Sequence, residues 1–189
     1  MAIPPLSLHP WTRRWPLAPS LLRLAGGVLL LWLAWLAIAE ERARGLNFLL
    51  SVFCLVWTAD IAAYFSGRAF GRRKLAPSIS PGKSWEGVWG GMAGVVALAL
   101  AWIAFDRQGL ADGPSLYTLL LARAGLPGLI VSCLFLAALS VVGDLFESLV
   151  KRSAGAKDSS ALLPGHGGVL DRIDALLPVC PLALALISA

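Results

Sequence analysis

Charge is what this sequence has least of. Asp, Glu, Lys and Arg make up 14% of its 189 residues, against roughly 25% in an ordinary soluble domain. That excludes a chain kept in water by a charged surface. No repeat, no low-complexity tract and no polar stretch long enough to fold alone is present. Cysteine is scarce too. Cys54, Cys133 and Cys180 fall in separate apolar runs, without metal-ligand spacing or a secretory context, and read as packing residues. His166 has no cysteine near it, so a zinc site of several nitrogen and sulfur ligands is excluded.

What the chain has instead is apolar surface: 58% hydrophobic residues and a mean hydropathy of +0.75. Uncharged runs cover residues 24–39, 87–105, 124–143 and 175–189, and a fifth, 45–67, is interrupted only by Asp60. A spanning helix needs about 20 mainly apolar residues. The fold class expected is therefore all-α, a polytopic membrane helical bundle of about five spans. The first and last runs are the shortest, and Pro178 and Pro181 should bend or break the last. Pro127 lies early in the fourth run, where proline suits a first turn. Residues 106–123, with a break at Gly113-Pro114, read as a connector. Arg13 and Arg14 ahead of an apolar run are compatible with a signal peptide. However, the run after Arg23 is Trp-rich, ends in Glu40-Glu41-Arg42 and has no small-residue cleavage site, so a retained helix is expected. Residues 1–23 then form a cytoplasmic lead and residues 24–189 one transmembrane domain.

The net charge of +5 matters through its placement. With five spans, the 16 Lys and Arg residues divide twelve to four between the two sides, the minority being Arg42, Arg44, Arg107 and Arg123. The positive-inside rule then puts the N-terminus and the loops 68–86 and 151–174 together in the cytoplasm. Those two loops hold nearly all the chemistry.

Asp60, Asp144 and Glu147 lie in or beside apolar runs, where a carboxylate at mid-membrane costs about 2.5–3.5 kcal/mol. Helical spacing places Asp144, Glu147, Ser148 and Lys151 on one face. Glu147 and Lys151 read as a pair closing the helix end, while Asp144, one turn deeper, is a candidate for cation or substrate contact. In the following loop Lys151, Arg152, Lys157 and Arg172 are cationic donors, and Asp158, Asp171 and Asp174 are hard oxygen ligands. Glycines there, in GHGGVLDRID at 165–174, let backbone N–H groups approach a ligand. Such a set suits a phosphate bridged by Mg²⁺. His166 reads either as a phosphate donor or as a turn residue without a role. The other loop, PSISPGKSWEG at 77–87, nearly spells a P-loop, but Pro77 takes the first glycine position and an apolar helix precedes it. The P-loop reading is rejected, leaving Ser80, Lys83 and Ser84 as simple phosphate donors. Asp60, Tyr64, Gly67, Arg68 and Gly71 form a polar cluster where the second helix ends.

Ser148-Leu149-Val150-Lys151-Arg152, then Lys157-Asp158, Pro164-Gly165-His166-Gly167-Gly168 and Asp171-Arg172-Ile173-Asp174 resemble the signature of the phosphatidate cytidylyltransferases, or CDP-diacylglycerol synthases. Asp60, Tyr64, Gly67, Gly71 and Lys74 through SPGKSWEG resemble a second block of that family, the likeness covering about 57–189. The resemblance implies a multi-pass inner-membrane enzyme that makes CDP-diacylglycerol and pyrophosphate from CTP and phosphatidate. It makes Asp144 and Asp171 ligands of a Mg²⁺ centre, with a second metal ion allowed. Lys151 and Arg172 join them as catalytic residues, and Ser148, Arg152, Lys157, Asp158, His166, Gly167, Gly168, Asp174 and Asp60 surround the substrates. Ile61 stands where the family usually has a hydroxyl residue, and Ser84 where Thr is commoner. By this resemblance the chain is an N-terminally short member. The expected partners are CTP, phosphatidate and the bilayer, with a possible homodimer and no nucleic acid. Two rivals stay open: a shortened inactive relative serving as a binding or assembly partner, and a transporter whose intramembrane acids line a pathway.

Overall fold

A computed structural model describes residues 20–156, 159–160 and 168–188. In chain order the described residues form α1 (Ser20–Arg44), α2 (Leu46–Phe70), the strands β1 (Lys74–Ala76) and β2 (Ser80–Ser84), α3 (Trp85–Asp106), α4 (Leu116–Ser153), α5 (Leu170–Ile173) and α6 (Leu176–Ser188). Helices α1 to α4 are each long and apolar enough to cross a membrane. The chain is an all-α membrane bundle with one small hairpin.

Three expectations need correction. The fifth run makes α6, a helix of 13 residues, about 20 Å long against the ~30 Å of a bilayer core. Its prolines do not break it: Pro178 sits in the first turn, and Pro181 forgoes only the bond to Leu177. Second, the connector is shorter than 106–123. Helix α4 begins at Leu116, its end capped by the Ser115 hydroxyl, which accepts from the Thr118 N–H. It bends at Gly125, whose φ of 65° favours glycine, and Pro127 falls in the first turn after the bend. Third, the loop 68–86 is largely structured, with α2 ending at Phe70 and the hairpin following, and at the two ends of 151–174 α4 runs on through Ser153 and α5 occupies 170–173.

Helices α2 and α3 pack most tightly. A Cβ on Gly91 would lie 2.7 Å from the Ala59 carbonyl oxygen, and one on Gly87 2.8 Å from that of Ala63. Small residues one turn apart let two backbones close without side chains between them, the usual device for helix association in lipid. Gly91→Val should therefore wedge the pair apart. The expected cost is about 1–3 kcal/mol, read as a lowered thermal midpoint in detergent; an unchanged midpoint would contradict this packing. Around this pair the core is built from Phe48, Val52 and Leu55 of α2, Val95 of α3, Leu120, Cys133 and Leu136 of α4 and Val179 and Cys180 of α6. The three cysteines are free, two of them fully buried, as packing residues should be.

The end of the bundle where α1 meets α2 is closed by polar bonds. Asp112 accepts from the Leu46 and Asn47 N–H groups at 2.5 and 2.9 Å. Asp106 accepts from Ser115, Thr118 and Asn47 side chains, and Trp102 donates to Asn47. These bonds tie Asp106, Asp112, Asn47 and Ser115 together as a structural cap. The hairpin and the end of α4 lie at the opposite end. That division keeps the twelve-to-four split of Lys and Arg whether or not α6 spans, because no basic residue follows Arg172.

Candidate active site

At the hairpin end, α2, β1–β2, α4 and the α5–α6 turn enclose a cavity of about 1010 Å³. Its first wall is one face of α2, where Asp60, Tyr64 and Arg68 recur every four residues. The hairpin is antiparallel, with Lys74 opposite Ser84 and Ala76 opposite Ser80. It is fixed to the first turn of α3 because the Glu86 carboxylate accepts from the Arg72 and Arg73 N–H groups at 3.1 and 3.2 Å. That anchoring brings Lys74, Ser80 and Lys83 into the cavity. Gly82 and Lys83 lie on β2, which runs straight into α3 with no intervening loop to cradle a phosphate, in keeping with rejection of the P-loop.

The second wall is the α4 face read from spacing. Lys83 Nζ stands 2.5 Å from Asp144 Oδ2, and Ser148 donates to the other Asp144 oxygen at 3.3 Å. One turn on, Lys151 Nζ lies between Glu147 Oε2 at 2.5 Å and Asp171 Oδ1 at 2.6 Å. Asp171, from α5, also accepts from the Gly168 N–H at 2.6 Å and from the Ser159 N–H and hydroxyl. Burial opposes its ionisation, but Lys151 and these donors outweigh it and hold the carboxyl far below the usual range. Asp174 is shifted the other way, by burial first and then by the nearby Asp144 charge. The two acids of α5 and its turn thus carry opposite tendencies.

Of the residues expected at the site, Asp60, Ser80, Lys83, Ser84, Asp144, Lys151, Asp171, Arg172 and Asp174 line this one cavity. Ser84 is buried and caps α3, accepting from the Gly87 N–H at 3.2 Å. Ser148 supports Asp144 from behind, and Gly168 holds Asp171. Arg152 is turned to the Ala156 carbonyl at the end of α4 and does not line the cavity. Lys157, Asp158, His166 and Gly167 lie outside the described residues. Away from the charges the cavity wall is apolar, with Phe53, Val56, Trp57, Val88 and Val141.

Gly143 went unnoticed in the sequence. A Cβ there would meet Pro178 Cγ at 2.9 Å and the Asp174 carbonyl oxygen at 3.0 Å. Its missing side chain is what lets the Asp174 turn approach Asp144. A glycine directly before a mid-helix acid was the available signal. Gly143→Ala should displace that turn and lower turnover about tenfold or more, since misplacing reacting groups by about 1 Å costs up to ~10²-fold. Full activity at an unchanged thermal midpoint would show that the approach is not needed.

The carboxylates also decide what ion the site suits. Among the described residues no three His, Cys, Asp or Glu side chains converge to cage a metal. An ion held here by one or two carboxylates completes its shell with phosphate oxygens and water, the habit of Mg²⁺. Asp144 and Asp171 fit that role in donor chemistry, each now facing a lysine.

The description "Cytidylyltransferase family" matches residues 6–189. A phosphatidate cytidylyltransferase of Haemophilus influenzae is 52% identical over 138 residues, 73% of this chain and 44% of the relative. That of Pseudomonas aeruginosa is 48% identical over 187 residues, 98% of this chain and 62% of the relative. That of Bacillus subtilis is 41% identical over 144 residues, 76% of this chain and 48% of the relative. The chain spans about half the length of the curated relatives it matches. A match along nearly the whole chain, with a cavity lined by cations and carboxylates at the helix ends, places this protein in the cytidylyltransferase family.

Proposed function

We propose that this chain transfers the cytidylyl group of CTP to phosphatidate, giving CDP-diacylglycerol and pyrophosphate for phospholipid synthesis. One observation carries the reading. Arg68, Lys74, Lys83, Lys151 and Arg172 share a cavity with four aspartates and an apolar wall, a combination suited to a phosphate that bears acyl chains. The attacking atom is a phosphate oxygen of phosphatidate, already anionic near neutral pH, so no strong general base is required. It forms a bond to the α-phosphorus of CTP as the bond to the β-phosphate oxygen breaks. The difficulty is electrostatic, since two anions must meet, and fixed cations lining the cavity answer it. Lys83 and Lys151 can exchange their carboxylate partners for phosphate oxygens. Asp144 and Asp171 would hold Mg²⁺, with room in the proposal for a second ion; when bound, it supplies neutralisation of the nucleotide phosphates.

In this reading the protein is a multi-pass protein of the inner membrane, with the cavity on the cytoplasmic side where CTP is found, and a homodimer is the assembly to look for. The distribution of Lys and Arg supports that orientation. Labelled CTP tests the reaction class. Label on the α-phosphate should appear in the lipid and label on the γ-phosphate in soluble pyrophosphate. Transfer of the γ-label to lipid would mean lipid phosphorylation instead, and ion flux without nucleotide would mean a transporter.

A further inference from the structure

The five cations of the cavity differ in what neutralises them. Lys83 is paired with Asp144, and Lys151 with both Glu147 and Asp171. Among the described residues Arg68 has only a neutral partner, the Tyr64 hydroxyl, to which its guanidinium donates at 3.2 Å. Among the described residues no carboxylate stands within 4.0 Å of the Arg68 guanidinium or the Lys74 ammonium, and both side chains are exposed at the cavity mouth. Two cations of one cavity without a carboxylate partner match a phosphomonoester, which carries about −1.5 to −2 charge at pH 7.

The surface leading to Arg68 says which phosphomonoester. Going back along α2 from Arg68, the residues at successive turns are Tyr64, Ile61 and Trp57, exposed by 59%, 58% and 49%. Among the described residues all three side chains are exposed, and Trp57 and Tyr64 also line the cavity. An aromatic and aliphatic track ending at a guanidinium complements an amphiphile whose phosphate sits at the head of its acyl chains. A nucleotide triphosphate has no apolar tail for that track. The planar guanidinium grips a phosphate through two parallel bonds, and the Tyr64 hydroxyl holds it in place.

We infer that Arg68, with Lys74, is the subsite for the phosphate of the lipid substrate, with its acyl chains along Trp57, Ile61 and Tyr64, apart from the Lys83 and Lys151 group that faces the nucleotide. The inference rests on the proposed reaction for the identity of the two ligands, and the test separates the two claims.

Binding of dioctanoyl phosphatidate and of CTP to the purified full chain in detergent is measured by titration calorimetry for the parent, Arg68→Ala and Arg68→Lys, with dioctanoylglycerol as the phosphate-free control. Arg68→Ala is expected to raise the Kd for dioctanoyl phosphatidate about tenfold or more, the usual weight of hydrogen bonds to a charged group. The Kd for CTP should stay within about twofold, and Arg68→Lys should recover part of the loss, because charge returns without the bidentate fork. A tenfold loss of CTP binding with phosphatidate unaffected would assign Arg68 to the triphosphate and overturn the inference. Unchanged binding of both, or equal loss of the phosphate-free control, would also overturn it. A parent that binds phosphatidate through Arg68 yet never yields a cytidylylated lipid leaves the subsite standing and removes the reaction. A parent that yields the product with phosphatidate affinity indifferent to Arg68 does the reverse.

Discussion

Asp144→Asn is expected to lower the turnover of CTP and phosphatidate by roughly 10²–10³, the range for removing one preorganised electrostatic contact at a reacting centre. The substitution keeps the shape of the side chain and deletes its charge. Lys83, 2.5 Å away and 23% exposed, then loses its ion-pair partner. An unpaired ammonium in that position attracts phosphate more strongly than a paired one, so the affinity for CTP should hold or rise while kcat falls. This split distinguishes a residue needed in the transition state from one that merely helps binding. Initial rates over a CTP series, beside the thermal midpoint of each protein, give both quantities. A rate within about threefold of the parent, or a rise in KM with kcat intact, would remove Asp144 from the centre of the site.

Lys151→Met should have the larger effect on stability. Lys151 is the sole ammonium between Glu147 and Asp171, and the three side chains are only 17%, 8% and 11% exposed. Removing one partner of a fully buried pair costs about 3–5 kcal/mol, because the other charge is left uncompensated. Partial access to solvent at Lys151 reduces this to about 2 kcal/mol. In a chain of this size that lowers the thermal midpoint by roughly 4–8 °C. Adding Glu147→Gln removes one of the stranded acids and should restore most of that loss without restoring activity, since Asp171 still lacks its partner. A single variant as stable as the parent would show that the triad is not part of what holds α4 to α5. A double variant that regains the rate would show that Lys151 serves structure alone.

The parts of this fold that depend on one stretch of chain were legible in the sequence. Hydropathy located the four long helices, and Asp144, Glu147, Ser148 and Lys151 fell on one face of α4 because a 3.6-residue period leaves them no alternative. The bend at Gly125 was not legible, since Pro127 reads equally as the first turn of a separate helix. The parts that depend on a partner were not legible. Strands of three and five residues are too short to show a period of two, and β1 and β2 exist because Glu86 and the end of α2 hold them in register. The α2–α3 seam needs Gly87 and Gly91 to be set against Ala63 and Ala59, which no single helix reveals. In the same way Lys83 and Asp144 are 61 positions apart, and only the folded bundle shows that the two polar loops form one site. The distribution of Lys and Arg put the two loops on one side before the coordinates joined them, while Gly143 and the separate character of Arg68 came from the coordinates alone.

The most direct test of the cavity as a cytidylyltransferase site is product formation by this chain in vesicles containing phosphatidate, with CTP and Mg²⁺ supplied to the face that carries the hairpin. The expected result is CDP-diacylglycerol and pyrophosphate in equal amounts, and none when CTP is confined to the opposite face. Folded protein that binds CTP from the hairpin side and forms no CDP-diacylglycerol would contradict it.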